Sequence, residues 1–540
     1  MKHPGAFVAV LLLLTLGALA LRLPDLGSRP FHGDEAVHAV KFQELWEKGV
    51  YRYDPNEYHG PTIYYAALPS VWLHGRHTFA ETQETDYRLP IVIVGALMLL
   101  FLWPLADGMG RRSALCAGLL LTLSPAFVFY SRYYIQETFL ACFTLGMLAC
   151  GWRYARSRRP GWLLAAGLCT GLMIASKETA VLTFVACGLA LGLTALWTRR
   201  VDGEALALRP LWSGRWIAAA LGVGLLTACL FLSGFFSHPA GALDYLHAYT
   251  PWLHRAGGTE IHRHPWNYYL GLLLWNPLPH HHLSLLPTPD RMHHPFWSEA
   301  LIVGLAGVGG IVALLPKEKS PLEGSAALAR FLAFTTLLLT LVYSIIPYKT
   351  PWCVLSFLLG MVLLAGIGAI ALLRNAPGTP LKALIGLLLL AGGVQLGWQS
   401  YQSSYLHNTD QSSPYVYSQP VQDIAELGQE IEKLAAASPQ HDQMVIKVFS
   451  VDEYYWPLPW YLRRFPNVGY WTEVPKDADA PVVLASPEFE EELTKRLDAT
   501  HIMRGYRGLR PGVFLELWVR MDLWEAYLKA KKATEKEAPE

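Results

Sequence analysis

Apolar residues come in long runs here, and that limits the fold more than any motif. After a first run from Ala6 to Leu21, the runs cover roughly 89–106, 113–130, 134–152, 161–176, 179–197, 216–236, 298–315, 330–347, 351–373 and 382–399. Each approaches the ~20 residues a helix needs to cross hydrocarbon. Backbone in lipid must satisfy its own hydrogen bonds, which favours helices. The chain is 52% hydrophobic and only 16% charged, where soluble proteins carry about a quarter charged residues. The expected fold class is a polytopic α-helical membrane protein of about eleven spans.

Basic residues orient those spans. Arg111 and Arg112; Arg153, Arg156, Arg158 and Arg159; Arg199, Arg200, Arg209 and Arg215; Lys317, Lys319 and Arg330; and Arg374 with Lys382 fall in alternate loops. Loops rich in Lys and Arg stay cytoplasmic. The N-terminus is then inside, and the loops 24–88 and 237–297 and the C-terminal tail are outside. The alternative for the first run is a cleaved signal ending near Ala18-Leu19-Ala20, which leaves the next loop on the same side. Net charge is +1, so there is no electrostatic case for nucleic acid. The 7 cysteines fall in or at apolar runs without metal-ligand spacing, as small buried hydrophobes do.

The first outer loop holds an unusual stretch, Pro30-Phe31-His32-Gly33-Asp34-Glu35-Ala36-Val37-His38-Ala39. Ionisable groups near a bilayer are costly and need a reason to be there. Ala36, Val37, Val40, Phe42, Leu45 and Trp46 against Lys41, Gln43, Glu44, Glu47 and Lys48 predict an amphipathic surface helix. The acidic pair sits at its N-terminus, where negative charge also serves as a plain cap. Tyr58-His59-Gly60-Pro61 leads into a second amphipathic segment with Ile63, Tyr64, Tyr65, Leu68 and Trp72. The loop 237–297 is rich in aromatics and histidines, among them His262, His264, His280, His281 and His282. Trp266 to Trp275 reads as a further interfacial helix.

The composition changes after residue 400. A polar linker, 401–420, precedes a helical pattern at 419–436 and strand-like Met444 to Phe449. Then come strand-like Val482 to Leu484, a helix at 488–497 and strand-like Val513 to Val519. This predicts a small extracytoplasmic α/β domain over 421–530, and the Lys/Glu-rich 531–540 reads as disordered. Tyr454 to Trp460 either line a pocket or form the domain's own core.

Three tight turns at the outer ends of spans carry charge. They are Ser131-Arg132-Tyr133-Tyr134-Ile135-Gln136-Glu137, Ser176-Lys177-Glu178-Thr179 and Pro347-Tyr348-Lys349-Thr350-Pro351-Trp352. Lys177 and Lys349 run against the positive-inside rule. Outward cations near headgroups suit a phosphate, and carboxylates beside them suit proton abstraction from a hydroxyl. The bland alternative is that each lysine snorkels or pairs locally, Lys177 with Glu178.

The Asp34-Glu35 pair, the His59-Gly60-Pro61 step before an aromatic segment, and Tyr348-Lys349-Thr350-Pro351-Trp352 resemble the GT-C membrane glycosyltransferases. More narrowly, the chain resembles the PMT-like group of protein O-mannosyltransferases and lipid A aminoarabinose transferases, and within it a prokaryotic subgroup labelled flippase-activity-associated proteins. The resemblance covers about 1–400 as a transmembrane transferase module. It implies an inverting glycosyltransferase in the prokaryotic plasma membrane, moving a sugar from a polyprenyl-phosphate-linked donor to a hydroxyl on a protein, lipid or glycan. In that resemblance Asp34 is the general base, Glu35 orients it or the acceptor, and Glu137 is the second acidic position. His59, Arg132, Lys177, Tyr348 and Lys349 match donor-phosphate positions, and His38, Tyr58 and Tyr64 line the acceptor side or pocket. Membrane lipids are the other partners. The departing phosphate is already a stable anion, so the resemblance implies no cofactor; a divalent ion on the histidine-rich loop is the alternative. The aminoarabinose transferases carry Lys-Pro-Pro where this chain has His59-Gly60-Pro61, which leaves the charge at that position open. The competing functions are a lipid-linked-sugar flippase or transporter component, and a scaffold whose tail binds envelope proteins. Transporters carry broken helices and repeats near the midplane, and no internal repeat is visible here.

Overall fold

The computed structural model describes residues 4–56, 59–206, 213–257, 262–274 and 297–537. The chain divides into two compact units. The first comprises Met1–Leu26, Val50–Ser70 and Thr85–Tyr417; the second comprises Gly27–Gly49, Val71–Glu84 and Ser418–Glu540.

The first unit is a polytopic helical bundle. Seven helices among the described residues are long and apolar enough to cross a membrane: Gly5–Arg22, Glu84–Met109, Ala180–Asp202, Gly214–Leu232, Ala326–Ile345, Pro351–Asn375 and Gly378–Leu406. Two shorter apolar helices, Pro160–Ile174 and Ala300–Leu314, lie where further spans are expected. The expected span at 113–130 is two helices, Arg111–Leu123 and Pro125–Tyr130. The break has a local cause. Pro125 has no N–H to continue the first helix, and Ser124 turns its hydroxyl to accept from the Phe127 N–H at 3.4 Å, starting the second. Glu137–Ser157 follows as a helix of 21 residues.

Leu355–Asn375 is buried nearly all round, as a helix at the centre of a bundle must be. It packs backbone-close on Ala300–Leu314. A Cβ at Gly309 would stand 2.1 Å from the Leu364 carbonyl, and one at Gly368 2.1 Å from that of Leu305. Small residues at helix crossings permit this approach, which apolar side chains in lipid do not drive by themselves. Gly378–Tyr401, by contrast, buries only Leu396, Gln399 and Ser400. One end of the bundle gathers the basic loops. There Arg330, fully buried, donates to Asp202 at 3.1 Å and to the Leu315 carbonyl at 2.9 Å, and the Lys317 N–H donates to Asp202 at 2.9 Å.

The second unit is built on a five-stranded sheet of order β2-β1-β3-β5-β4. The strands are β1 (Ile446–Phe449), β2 (Val468–Trp471), β3 (Val482–Ala485), β4 (His501–Arg510) and β5 (Val513–Arg520). β1 pairs in parallel with β2 and β3, while β5 runs antiparallel to β3 and β4. Helix Asp423–Ala437 covers it with Ile424, Leu427, Ile431 and Leu434. β1, β3 and β5 lie on or next to the stretches expected as strands, whereas β2 and β4 had no sequence signal. β4 holds Gly505 at φ +103° and register shifts on either side of Tyr506 and Gly508, so its side chains lose clean alternation. Met521–Glu537 is helical, extending past the point at which disorder is expected.

Helix Gly33–Lys48 belongs to this second unit. Its neighbours there are aromatic. Trp460, fully buried, lies 4.5 Å from Phe31 and 5.9 Å from Phe79, and donates its indole N–H to Glu84 at 2.9 Å. The Tyr461 hydroxyl accepts from the Phe31 N–H at 2.9 Å. The Tyr454–Trp460 stretch therefore splits: Trp460 is core, and Tyr454 is exposed.

Candidate active site

In the second unit, His32 caps the helix Gly33–Lys48. Its Nδ1 accepts from the Asp34 N–H at 3.0 Å, and the Glu35 carboxylate reaches back to the His32 N–H at 3.1 Å. Two orphan donors of the first turn are satisfied reciprocally. Glu35 is fully buried, with Arg29 3.9 Å from its carboxylate. The adjacent acids thus differ. Glu35 holds the helix start, whereas Asp34 is half-buried with its carboxylate outside the cap. His38, one turn on, is buried.

In the first unit the turn 175–179, between two apolar helices, is the hub. His59-Gly60-Pro61 docks on it: the Gly60 N–H donates to the Ser176 carbonyl at 3.1 Å, and the Thr62 N–H to Ala175 at 3.4 Å. The hydroxyls of Thr62 and Ser176 meet at 2.8 Å. Only glycine fits at position 60, since a Cβ would stand 2.0 Å from the Ala175 carbonyl oxygen. This docking brings the His59 ring to Glu178, Nδ1 to Oε2 2.6 Å, while Tyr53 donates to the other oxygen at 2.6 Å. The side chain of Glu178 is 4% exposed and that of His59 31%. Burial pushes the Glu178 carboxyl up, but the His59 ring and the bonds from His59 and Tyr53 outweigh it and hold it below the usual carboxylate value. Tyr249 donates to the Glu178 carbonyl at 3.3 Å.

Lys177, on the same turn, does not pair with its neighbour Glu178. It donates to Glu137, the first residue of helix Glu137–Ser157, and both side chains are almost fully buried. Burial alone would lower the Lys177 ammonium, yet the Glu137 carboxylate raises it above its ordinary value. The preceding residue, Gln136, is fully buried with neither amide atom hydrogen-bonded among the described residues. Buried polar groups of that kind are exceptional and commonly mark a water or ligand position.

The other expected cations are engaged by main chain. Arg132 donates to the carbonyls of Arg22 and Pro24 at 2.6 Å each and Asp25 at 3.2 Å, and to the Tyr405 hydroxyl at 3.0 Å. Lys349 donates to the carbonyls of His264 at 3.3 Å and Ile346; burial lowers its ammonium. Arg263 and Tyr348 form an isolated antiparallel bridge, and the Lys349 N–H donates to His262 at 3.0 Å. The loop 262–269 is thereby stitched to the turn 347–350. His262 bonds Tyr417, and His264 stacks on Tyr268 with centroids 4.1 Å apart. Tyr64, fully buried, packs on Tyr51 at 5.5 Å. Tyr58 and His280 to His282 lie outside the described residues. Among the described residues no three His, Cys, Asp or Glu gather as metal ligands.

Sequence alone singled out Lys177, Glu137 and His59, but not that Lys177 pairs with Glu137 or His59 with Glu178. Glu178 entered only as a local mate for Lys177, and Tyr53 had no role. The pair His59–Glu178 is 119 residues apart in sequence, so no local spacing could reveal it.

The family model for dolichyl-phosphate-mannose-protein mannosyltransferase matches residues 72–209. No curated protein matches the chain by sequence. Among solved structures, ArnT from Cupriavidus metallidurans in the apo state superposes with a TM-score of 0.62 at 15% identity, covering 96% of this chain and 99% of that one. The same protein bound to undecaprenyl phosphate gives 0.59 at 15% identity, over 96% and 98%. The Archaeoglobus fulgidus oligosaccharyltransferase, tethered to an acceptor peptide containing the NVT sequon, gives 0.53 at 12% identity, over 90% and 70%. The family model thus matches one segment of the chain, and the superpositions, all at 12–15% identity, show that the chain shares the fold of ArnT and of the oligosaccharyltransferase.

Proposed function

We propose that the chain is an inverting glycosyltransferase that moves a sugar from a polyprenyl-phosphate-linked donor to a hydroxyl acceptor, on the outer face of a prokaryotic plasma membrane. The observation that carries this is the buried hub in which the turn 175–179 holds His59 through Glu178 and Glu137 through Lys177. Paired charges at that depth are expensive and rarely retained without use. Undecaprenyl phosphate bound to ArnT supports the donor class, and the basic loops support the sidedness.

The chemistry needs few parts. The acceptor oxygen attacks the anomeric carbon, and its proton passes to the Asp34 carboxylate. The bond between that carbon and the phosphate oxygen breaks, and polyprenyl phosphate leaves with the electron pair. One displacement inverts the configuration without a covalent enzyme intermediate. Asp34 is the base because its carboxylate is outside the helix cap that occupies Glu35. His59, the most exposed ring of the hub, contacts the phosphate with Lys349 and Tyr348. Lys177 and Arg132 act through others: the first positions Glu137, and the second ties segment 22–25. Glu137 and the Gln136 amide face sugar hydroxyls. Reconstituted protein, given a panel of polyprenyl-phosphate hexoses and pentoses, transfers sugar with release of polyprenyl phosphate. Translocation of the lipid-linked sugar without any transfer is the result that overturns this function.

A further inference from the structure

At the end of the bundle that carries the basic loops, a cavity of about 640 Å³ opens between helices Glu137–Ser157, Ala180–Asp202 and Ala326–Ile345. That is the size of sites for small molecules, about 300–1,000 Å³. Its walls are apolar: Met147, Leu148, Leu191, Leu328 and Phe331 are typical. Two wall positions are glycines, Gly151 and Gly188, and a Cβ at either meets nothing within 4 Å. Neither glycine is needed for a close helix crossing, so the space beside them is a property of the site.

Three features give the cavity a polarity. Arg156 and Arg158, both exposed, stand among its lining residues at the end of helix Glu137–Ser157. Arg156 stands 3.9 Å from Asp107, which is bound more closely by Arg153 at 3.0 Å and by the Trp152 indole at 2.8 Å. Asp107 is thus shared and compensates Arg156 only in part, and among the described residues Arg158 has no ion pair. Deeper in, the Thr194 hydroxyl is 1% exposed and has no hydrogen-bond partner among the described residues. A buried hydroxyl without a partner is destabilising, unless something in the cavity accepts from it. From Arg158 to Met147 the lining follows one helix for roughly 16 Å at 1.5 Å per residue. That is about half of the ~30 Å hydrocarbon thickness, one leaflet.

We propose that this cavity holds one acyl chain of an anionic glycerophospholipid from the leaflet facing the basic loops, with its phosphate on Arg156 and Arg158 and an ester oxygen accepting from Thr194. The site is separate from the chemistry assigned to Asp34 and the hub. It stabilises the gap between the three helices, and the two arginines attract the anionic headgroup.

The test uses the full chain in nanodiscs of phosphatidylcholine with a minor fraction of phosphatidylglycerol, read by native mass spectrometry after extraction. Wild type retains one phosphatidylglycerol. The double variant Arg156→Gln, Arg158→Gln, altered only at exposed positions, loses that retention about tenfold. Leu191→Trp fills the cavity and removes bound lipid of either kind. Leu221→Trp, on the exposed face of helix Gly214–Leu232, retains lipid as wild type does. Equal retention of the two lipids by wild type, retention by Leu191→Trp, or preference for added polyprenyl phosphate at this site overturns the proposal.

Discussion

At the scale of residues, two ion pairs on one turn decide how the hub behaves. Lys177 and Glu137 are both nearly buried. Each therefore depends on the other, because a buried charge without its mate is far worse than no charge at all. Glu137→Gln or Lys177→Met is expected to cost about 3–5 kcal/mol. The double variant should cost clearly less than the sum of the two, read as thermal unfolding midpoints in detergent. Strict additivity would mean that the two side chains do not interact. Glu178 makes a pH prediction. Its carboxyl is held below the ordinary value of 4.5 by His59 and Tyr53. A carboxylate depressed on folding stabilises above its unfolded pKa and loses that contribution as pH falls through the folded value. The stability gap between wild type and Glu178→Gln should hold near neutrality and close on acidification below about 4.5. A gap that widens in acid contradicts the assignment. Sequence showed that Lys177 and Lys349 were out of place, since their charge opposed the topology. The one mate it offered Lys177, as the alternative to a phosphate, was the adjacent Glu178, because a long-range pair leaves no local spacing to read. The fold pairs across helices instead.

At the scale of elements, the segment His59-Gly60-Pro61 matters because backbone contacts backbone there. Gly60 is closed to any side chain by the Ala175 carbonyl 2.0 Å from its would-be Cβ. Gly60→Ala must displace either the turn 175–179 or the segment itself, with an expected cost of about 1–3 kcal/mol. It should also loosen the His59–Glu178 bond, visible as faster hydrogen exchange at the Gly60 and Thr62 amides. Unchanged exchange at both amides would show that the docking is not tight. The helix Gly33–Lys48 was legible from its amphipathic pattern and acidic start, and the pattern ends where Gly49 adopts φ +66°. The double role of its first turn was less legible. An Asp-Glu pair looks symmetric in sequence, but the capping box takes the second acid and leaves the first. The span expected at 113–130 is instead two helices for a visible reason, Ser124-Pro125, a cap and a proline inside a stretch read only for its hydrophobicity. Strand β4 escaped because its glycines and charges break the two-residue period on which strands are recognised.

At the scale of the whole molecule, composition and basic-loop alternation were enough for a polytopic helical membrane protein, since both follow from the cost of polar groups in hydrocarbon. What they could not show is how the chain is partitioned. The second unit draws on three separate stretches, 27–49, 71–84 and 418–540, so a domain boundary read along the sequence near 400 describes only part of it. Aromatic anchors such as Trp460 and Phe31 join stretches hundreds of residues apart, and such pairs carry no sequence signal. The central claim is that Asp34 takes the acceptor's proton in transfer from a polyprenyl-phosphate-linked sugar. Its most direct test is single-turnover transfer by reconstituted Asp34→Asn, with polyprenyl phosphate binding measured on the same preparation. The expected result is a loss of transfer of at least about a hundredfold, the lower range for a positioned general base, while the lipid still binds as it does to wild type. Transfer at the wild-type rate by Asp34→Asn would contradict the account.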